Sequence, residues 1–351
     1  MTPASGHGRH GGGDAAGQGG AFTRRRAVHI VAAAAGVPLA IAAVRATAPA
    51  PRLFRWQGEV LGAVSELALW HTDESAARRA IVRVRGEIAR YERIFSLYLR
   101  QSEISCLNAR AAIARPSAEL VGLVETGRRF SELSGGAFDI SVQPLWRLYE
   151  AHFWSRTDVR EDLAASAAEV ARTLVDWRSV DAGPAGIAFA KPGMAITLNS
   201  LAQGFVTDAA TDLLRNEGFE AAVVDLGEFR TLGRGPDGRP WRIGIRDAVA
   251  NAGGAGRSVD LEDGALAVSG GYGTPFEPSG RFHHIFDPHS GASAGVLADV
   301  AVTAATAVTA NGLATAICVA GEAQAAALLA AFPGARATVT RTDGSVAAIG
   351  V

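Results

Sequence analysis

Hydrophobic residues recur along this chain in two periods. From Trp56 to His71, WQGEVLGAVSELALWH alternates apolar and polar positions, which predicts one long strand or two short ones. From Glu74 to Phe95 the period lengthens. Ile81, Val84, Ile88 and Tyr91 fall three and four residues apart, while Arg78, Arg79, Arg83, Arg85 and Arg90 take other faces. That predicts an amphipathic helix with a solvated basic side. FSLYLRQSEISCLN, from Phe95, reads as the end of this helix running into a turn, where Ser102 and Glu103 can satisfy backbone donors. Pro116-Ser117 starts the next helix with Ser117 as N-cap, and Gly135-Gly136 ends it. AFDIS is then expected to enter an extended segment, and Ala-rich residues 161–176 to form a peripheral helix.

Past the turn at Gly183-Pro184, IAFAKPGMAITLN predicts two short strands, and Leu201 to Asn216 a helix with Gly218 beyond its end. AAVVDLG from Ala221 reads as a buried strand, GRGPDGRP as a surface turn, WRIGIRD as a strand, and Val249 to Gly256 as a flexible loop. ALAVSGGYG leads from a strand into a Gly-rich loop, whose Gly pair alone is a weak sign of phosphate contact. GRFHHIF alternates as a short strand and turns abruptly at Asp287-Pro288, because proline fixes its own φ and holds its predecessor extended. LADVAVTAATAV is expected as a strand and Ala310 to Val319 as a helix; a last helix and a hairpin at Asp343-Gly344 follow. Strands and helices do not alternate strictly, and no GxGxxG follows a first strand. The prediction is therefore an α+β fold of mixed or antiparallel sheets with packed helices, not a Rossmann domain.

Composition narrows the function classes. Of 351 residues, 48% are hydrophobic and 20% charged, as in a globular protein with a large core. A net charge of −1 gives no electrostatic reason to expect nucleic acid. Two cysteines, Cys106 and Cys318, are too few for a disulfide framework or a zinc cluster. Residues 1–22, rich in Gly, His and Ala, read as a disordered leader. Residues 23–50 place Arg24, Arg25 and Arg26 before an Ala-rich apolar run and small residues, the layout of an export signal. Consecutive arginines and modest hydrophobicity favour the twin-arginine route, hence a periplasmic protein. The alternative is an uncleaved signal that associates the protein with the inner membrane.

The densest candidate chemistry is RFHHIFDPHSG, Arg281 to Gly291, which holds three of the eight histidines. Adjacent His on a strand point to opposite faces and do not easily share one ion. One His beside a turn carboxylate is better suited to taking a proton, and a polar hairpin end is the plainer alternative. The helix start in TLNSLAQGF offers backbone N–H groups and small residues to a phosphate. Asn311 and Thr315, four apart, share one helical face; a capping Asn and a back-bonded Thr is the structural alternative.

These stretches carry a resemblance. HIFDPHSG is similar to the HIxDPxTG signature of the FAD:protein FMN transferases, the ApbE family, with Ser290 in place of Thr. FSLYLRQSEISCLN, GGAFDIS, TLNSLAQGF and TANGLATA agree in order and spacing, over roughly residues 56 to 345. The resemblance implies a two-subdomain catalytic domain over residues 51–351, with FAD between the subdomains. It implies that Tyr98 and Leu99 lie over the flavin, that Ala137, Phe138 and Asp139 contact FAD, and that Thr197 and Gln203 line its site. Leu61, in Leu61-Gly62-Ala63 where relatives often carry Met-Gly-Thr, and Ile285 are assigned to the same site. The Ser200 carbonyl, Asn311 and Thr315 would hold Mg²⁺, and His284 would be the base, with Asp287 shaping its turn. The implied reaction is attack of a threonine hydroxyl of a partner flavoprotein on the FMN-side phosphorus of FAD, releasing AMP. Three further positions depart from the family. Gln203 replaces a frequent Lys, Asn311 replaces Asp, and Glu228 follows Gly227 where relatives often continue Gly-Gly. Asn311 and Gln203 leave two rivals open, a periplasmic flavin-binding protein without transferase activity and an Mg²⁺-dependent FAD pyrophosphatase.

Overall fold

The structure is a computed structural model and describes residues 50–154, 163–246, 248–249 and 257–350. The leader and expected export signal, and nearly all of the expected Val249–Gly256 loop, lie outside the described residues. Strands β1 (Arg52–Val60) and β2 (Ala63–His71) form a tight antiparallel hairpin, so the first alternating run is two strands. The two turn residues, Leu61 (φ 50) and Gly62 (φ 81), are both left-handed, as a two-residue hairpin that follows the strand twist requires. Helix α1 (Glu74–Phe95) starts where Asp73 caps the backbone N–H groups of Ser75 and Ala76 at 2.7 and 3.1 Å. Its buried stripe, Val84, Ile88, Tyr91 and Phe95, faces the sheet core.

FSLYLRQSEISCLN contains a helix, α2 (Glu103–Arg110), and not only a turn. Ser102 caps it, and Glu103 accepts from the N–H and hydroxyl of Ser117 at 2.8 and 2.9 Å. That ties the start of α2 to the start of α3 (Ala118–Leu133), which ends at Gly135 and Gly136, both with positive φ. AFDIS is not a strand; it is a loop feeding α4 (Gln143–Phe153). The Ala-rich segment yields α5 (Ala165–Arg172), shorter than expected. A small sheet is ordered β3 (Ala112–Ala114), β5 (Gly186–Phe189), β4 (Val180–Gly183). IAFAKPGMAITLN thus supplies one strand, β5, and its remainder runs irregularly into α6 (Asn199–Asn216).

The large sheet has eight strands, ordered β1, β2, β6 (Ala222–Asp225), β7 (Phe229–Leu232), β10 (Ala265–Gly270), β11 (Leu297–Ala304), β12 (Arg336–Arg341), β13 (Val346–Ile349), each pair antiparallel. One face packs on α1, α6, α7 (Ala307–Ala320) and α8 (Glu322–Ala330) in the main core. The other carries the ribbon β8 (Trp241–Gly244) and β9 (Ser258–Leu261), with Trp241, Ile243 and Leu261 buried against Val223 and Leu266. Helix α7 begins at Ala307, with Thr306 as cap, so Asn311 and Thr315 sit in its second and third turns and Asn311 caps nothing. The GRFHHIF segment is not a strand, being paired only through isolated bridges Pro275–His283 and Phe286–Ser293. Its backbone bonds are divided: His284 N–H donates to Thr274 C=O at 3.2 Å, Phe282 C=O accepts from Phe276 N–H and Ile285 C=O from Ala294 N–H, both at 2.8 Å, while Ser293 Oγ accepts from His283 N–H at 2.9 Å and donates to His283 C=O at 2.8 Å. Among the described residues no helix is long and apolar enough to cross a membrane.

Candidate active site

A cavity of about 270 Å³ is walled by the large sheet, the helices packed on it and the loop between α3 and α4. The β1–β2 turn contributes Leu61 and Gly62. A Cβ at Gly62 would come within 2.8 Å of the Tyr98 ring, so that ring lies against the turn, half exposed, and lines the cavity as well. The loop after α3 contributes Ala137, Phe138 and Asp139, and α4 continues the wall with Trp146 and Glu150. Phe138 is also a core anchor, buried against Phe130 at 5.5 Å between centroids. The Asp139 carboxylate accepts from Ser141 N–H (2.7 Å), Ser141 Oγ (2.6 Å) and Trp177 N–H (3.2 Å). Burial pushes its carboxyl above the ordinary range, against those hydrogen bonds.

The start of α6 forms the next wall, with Thr197, Asn199, Ser200 and Gln203. The irregular segment before it is clamped from both sides. Asn108 of α2 accepts from Ile196 N–H at 2.7 Å and donates to Ile196 C=O at 2.8 Å, and Thr197 N–H donates to Ile140 C=O at 2.7 Å. Asn108 thus does for this segment what a neighbouring strand would do. Gln203 packs against the β6–β7 turn, where a Cβ at Gly227 (φ +108) would meet it at 2.8 Å.

Helix α7 presents Asn311, Thr315 and Val319 to the cavity. Its N-terminus is fixed by Asp208 of α6, whose carboxylate accepts from Ala307 N–H at 2.8 Å and Val308 N–H at 3.0 Å and pairs with Arg230. Opposite lies Ser269 of β10, its hydroxyl 3.3 Å from that of Thr315. Asn311 is 4% exposed, and its Nδ2 position has no hydrogen-bond partner. A half-turn of the carboxamide would put its oxygen at that position, and an amide oxygen beside hydroxyls suits a hard cation.

The hairpin closes the cavity with His284, Ile285 and Phe286. Although the segment is no strand, its two imidazoles diverge. His283 is buried beneath Gly271, where any Cβ would come within 2.5 Å of its ring, and its Nδ1 accepts from Ile285 N–H at 3.3 Å. Burial holds the His283 pKa below its ordinary value. Of the Gly pair in ALAVSGGYG, Gly271 therefore makes room for His283 and Gly270 for the Tyr272 ring, and neither is in the cavity wall. Asp287 is not in the wall either. Its carboxylate accepts from His289 N–H at 2.9 Å and Ser290 Oγ at 2.8 Å, which fixes the turn. Burial pushes its carboxyl up, but these bonds outweigh it and leave it below the ordinary range. Leu99, exposed, is outside the wall as well.

Of the residues singled out from sequence, Leu61, Tyr98, Ala137, Phe138, Asp139, Thr197, Ser200, Gln203, His284, Ile285, Asn311 and Thr315 thus surround one space. Ser269, Trp146, Glu150, Asn108 and Asp208 were not legible there. Asn108 alone left a trace: with Ile104 and Leu107 it falls on the buried face of α2.

Residues 61–339 match the ApbE family, which spans four-fifths of the chain and every wall of the cavity. The chain belongs to the ApbE family. It is 32% identical over 277 residues to a FAD:protein FMN transferase of Treponema pallidum (strain Nichols), covering 73% of this chain and 75% of that one. Two solved ApbE structures share the fold. The flavinyl transferase ApbE of Pseudomonas stutzeri in its apo form has a TM-score of 0.71 at 24% identity, over 85% of this chain and 96% of that one. The ApbE protein of Thermotoga maritima has a TM-score of 0.73 at 24% identity, over 85% and 97%. This ApbE chain therefore has an antiparallel α+β fold, as its order of elements predicts.

Proposed function

We propose that this protein transfers FMN from FAD to a threonine hydroxyl of a partner flavoprotein, with Mg²⁺ as cofactor and AMP as leaving group. Its membership of a family whose relatives bear that transferase name supports the reading, and one observation on the cavity carries the metal requirement. Among the described residues its wall includes Asp139, Glu150 and Glu228 but no Lys or Arg. A pyrophosphate held there has no basic side chain to offset its charge, so a cation must. The Ser200 carbonyl, the Asn311 amide oxygen and the Thr315 hydroxyl would hold Mg²⁺, which offsets charge developing on the pyrophosphate.

The protein's own groups then divide the remaining work. Leu61, Gly62 and Tyr98 form an apolar and aromatic wall for the flavin ring, and the Asn108 clamp keeps Thr197 and Ser200 in place beside the phosphates. His284 takes the proton of the acceptor threonine as its oxygen bonds to the FMN-side phosphorus. The bond from that phosphorus to the AMP oxygen breaks, and AMP leaves with the electron pair. Asp287 contributes by holding the turn on which His284 is mounted.

Incubating the purified protein with FAD, Mg²⁺ and a threonine-bearing acceptor domain tests this. Covalent flavin fluorescence on the denatured acceptor is expected. Free FMN and AMP with an unmodified acceptor would identify a pyrophosphatase, and intact bound FAD a binding protein. We place the protein in the periplasm, exported through residues 23–50. Changing Arg24, Arg25 and Arg26 to Lys should retain it in the cytoplasm, because twin-arginine export reads guanidinium groups and not charge alone.

A further inference from the structure

Ser269 and Thr315 come from different elements, strand β10 and helix α7, yet their hydroxyl oxygens stand 3.3 Å apart, and both line the cavity. Hydroxyls bonded to each other usually lie at about 2.7–2.8 Å. Two adjacent corners of an octahedron with bonds of about 2.1 Å lie about 3.0 Å apart, nearer to the separation here. Asn311 precedes Thr315 by one turn on the same helical face, and its buried Nδ2 position is the one without a partner. Carboxamide N and O exchange places by a half-turn of the side chain, so the orphan position can equally hold an oxygen. Ser200 lines the same space from α6.

We propose that Ser269 is a fourth protein ligand of the cation, and that this all-neutral oxygen set captures Mg²⁺ only together with a pyrophosphate. The inference rests on the functional reading above. Its physical basis is charge. The four donors are a hydroxyl from β10, a hydroxyl and an amide from α7 and a backbone carbonyl, none of them ionised. Asp139 is already committed to Ser141 and Trp177. The anionic oxygens that a dication needs must then arrive with the dinucleotide, and linkage makes the dependence mutual. Each ligand tightens the other.

Titration calorimetry on the full chain tests this with Mg²⁺ and ADP, which carries a pyrophosphate but no flavin to transfer, after correction for MgADP formed in solution. Mg²⁺ alone should bind weakly, and saturating ADP should tighten it by about tenfold or more, within the usual range of coupling between sites. Ser269→Ala should weaken Mg²⁺-dependent ADP binding by about fivefold or more, while Mg²⁺-independent FMN binding stays as in the parent. Asn311→Asp supplies the missing charge and should give measurable Mg²⁺ binding without ADP. Mg²⁺ binding equally with and without ADP, or lost in Glu228→Gln, overturns the neutral set. A Ser269→Ala protein that binds Mg²⁺ and ADP like the parent removes Ser269 as a ligand. If FAD itself fails to bind the parent at any Mg²⁺ concentration, the functional reading falls with it; normal FAD binding alongside an indifferent Ser269→Ala confines the failure to this inference.

Discussion

Gly204→Ala sets two effects of opposite sign against each other. Gly204 lies inside α6, where replacing Gly by Ala in an exposed helix gains about 1 kcal/mol. Its surroundings are not exposed. A Cβ built there lies 2.6 Å from the carbonyl carbon and oxygen of Ala307 and 2.7 Å from the Val308 nitrogen. All three are backbone atoms at the start of α7, so no rotamer change can relieve the contact. The helices would have to part by about 1 Å, and such overpacking costs about 1–3 kcal/mol. Separation also lengthens the bonds from Ala307 and Val308 to Asp208, a capping arrangement that contributes about 0.5–2 kcal/mol. The expected net loss is about 1–3 kcal/mol in urea unfolding. Because α6 carries Ser200 and Gln203 while α7 carries Asn311 and Thr315, Mg²⁺-dependent FAD binding should weaken as well. Gly86→Ala is the control: it sits exposed in α1 with no atom within 4 Å of the added Cβ, and should gain stability by about 0.5–1 kcal/mol. A Gly204→Ala protein as stable as the control, with unaltered FAD binding, would refute the claim that close α6–α7 contact fixes the cavity.

Three further outcomes follow from burial and hydrogen bonding. His283 is kept neutral in the fold while the unfolded chain takes up a proton near pH 6.5, so its contribution is complete above that value and lost as pH falls below it. The slope is at most about 1.4 kcal/mol per pH unit, and urea titrations at pH 5 to 8 should show it flattened in His283→Gln. Burial pushes the Cys318 thiol up to about 12, so one equivalent of thiol reagent should react with the folded protein, at Cys106, and a second only in denaturant. Asn108→Ala leaves both backbone groups of Ile196 unpaired; it should cost about 2–4 kcal/mol, on the order of 1–3 per buried group, and raise the FAD concentration needed for half-maximal turnover.

The helices were legible where period and punctuation coincide. Glu74–Phe95 and the helix capped by Ser117 run as the spacing predicts, because each has a full apolar stripe between a capping side chain and a stop. Helix α2 was not, since eight residues give barely two turns of pattern. The alternation in GRFHHIF suggested a strand, but its backbone meets its neighbours only at isolated bridges and scattered bonds, and Ser293 takes both backbone groups of His283, so no continuous ladder forms. The site divides in the same way. Stretches with local character, such as HHIFDP and TLNSLAQGF, pointed to the cavity. The groups that hold it together act across 88 residues for Asn108 and Ile196, 99 for Asp208 and Ala307, and 46 for Ser269 and Thr315, distances over which a single sequence carries no pairing signal.

In the proposed reaction His284 takes the acceptor's proton while other residues bind FAD. A positioned base contributes about a hundred- to ten-thousand-fold. Single-turnover flavin incorporation by His284→Gln, at saturating FAD, Mg²⁺ and acceptor, should therefore fall at least about a hundredfold, with the Kd for FAD close to that of the parent and part of the rate regained at higher pH. An unchanged rate, or the large loss appearing in His283→Gln instead, would contradict the account.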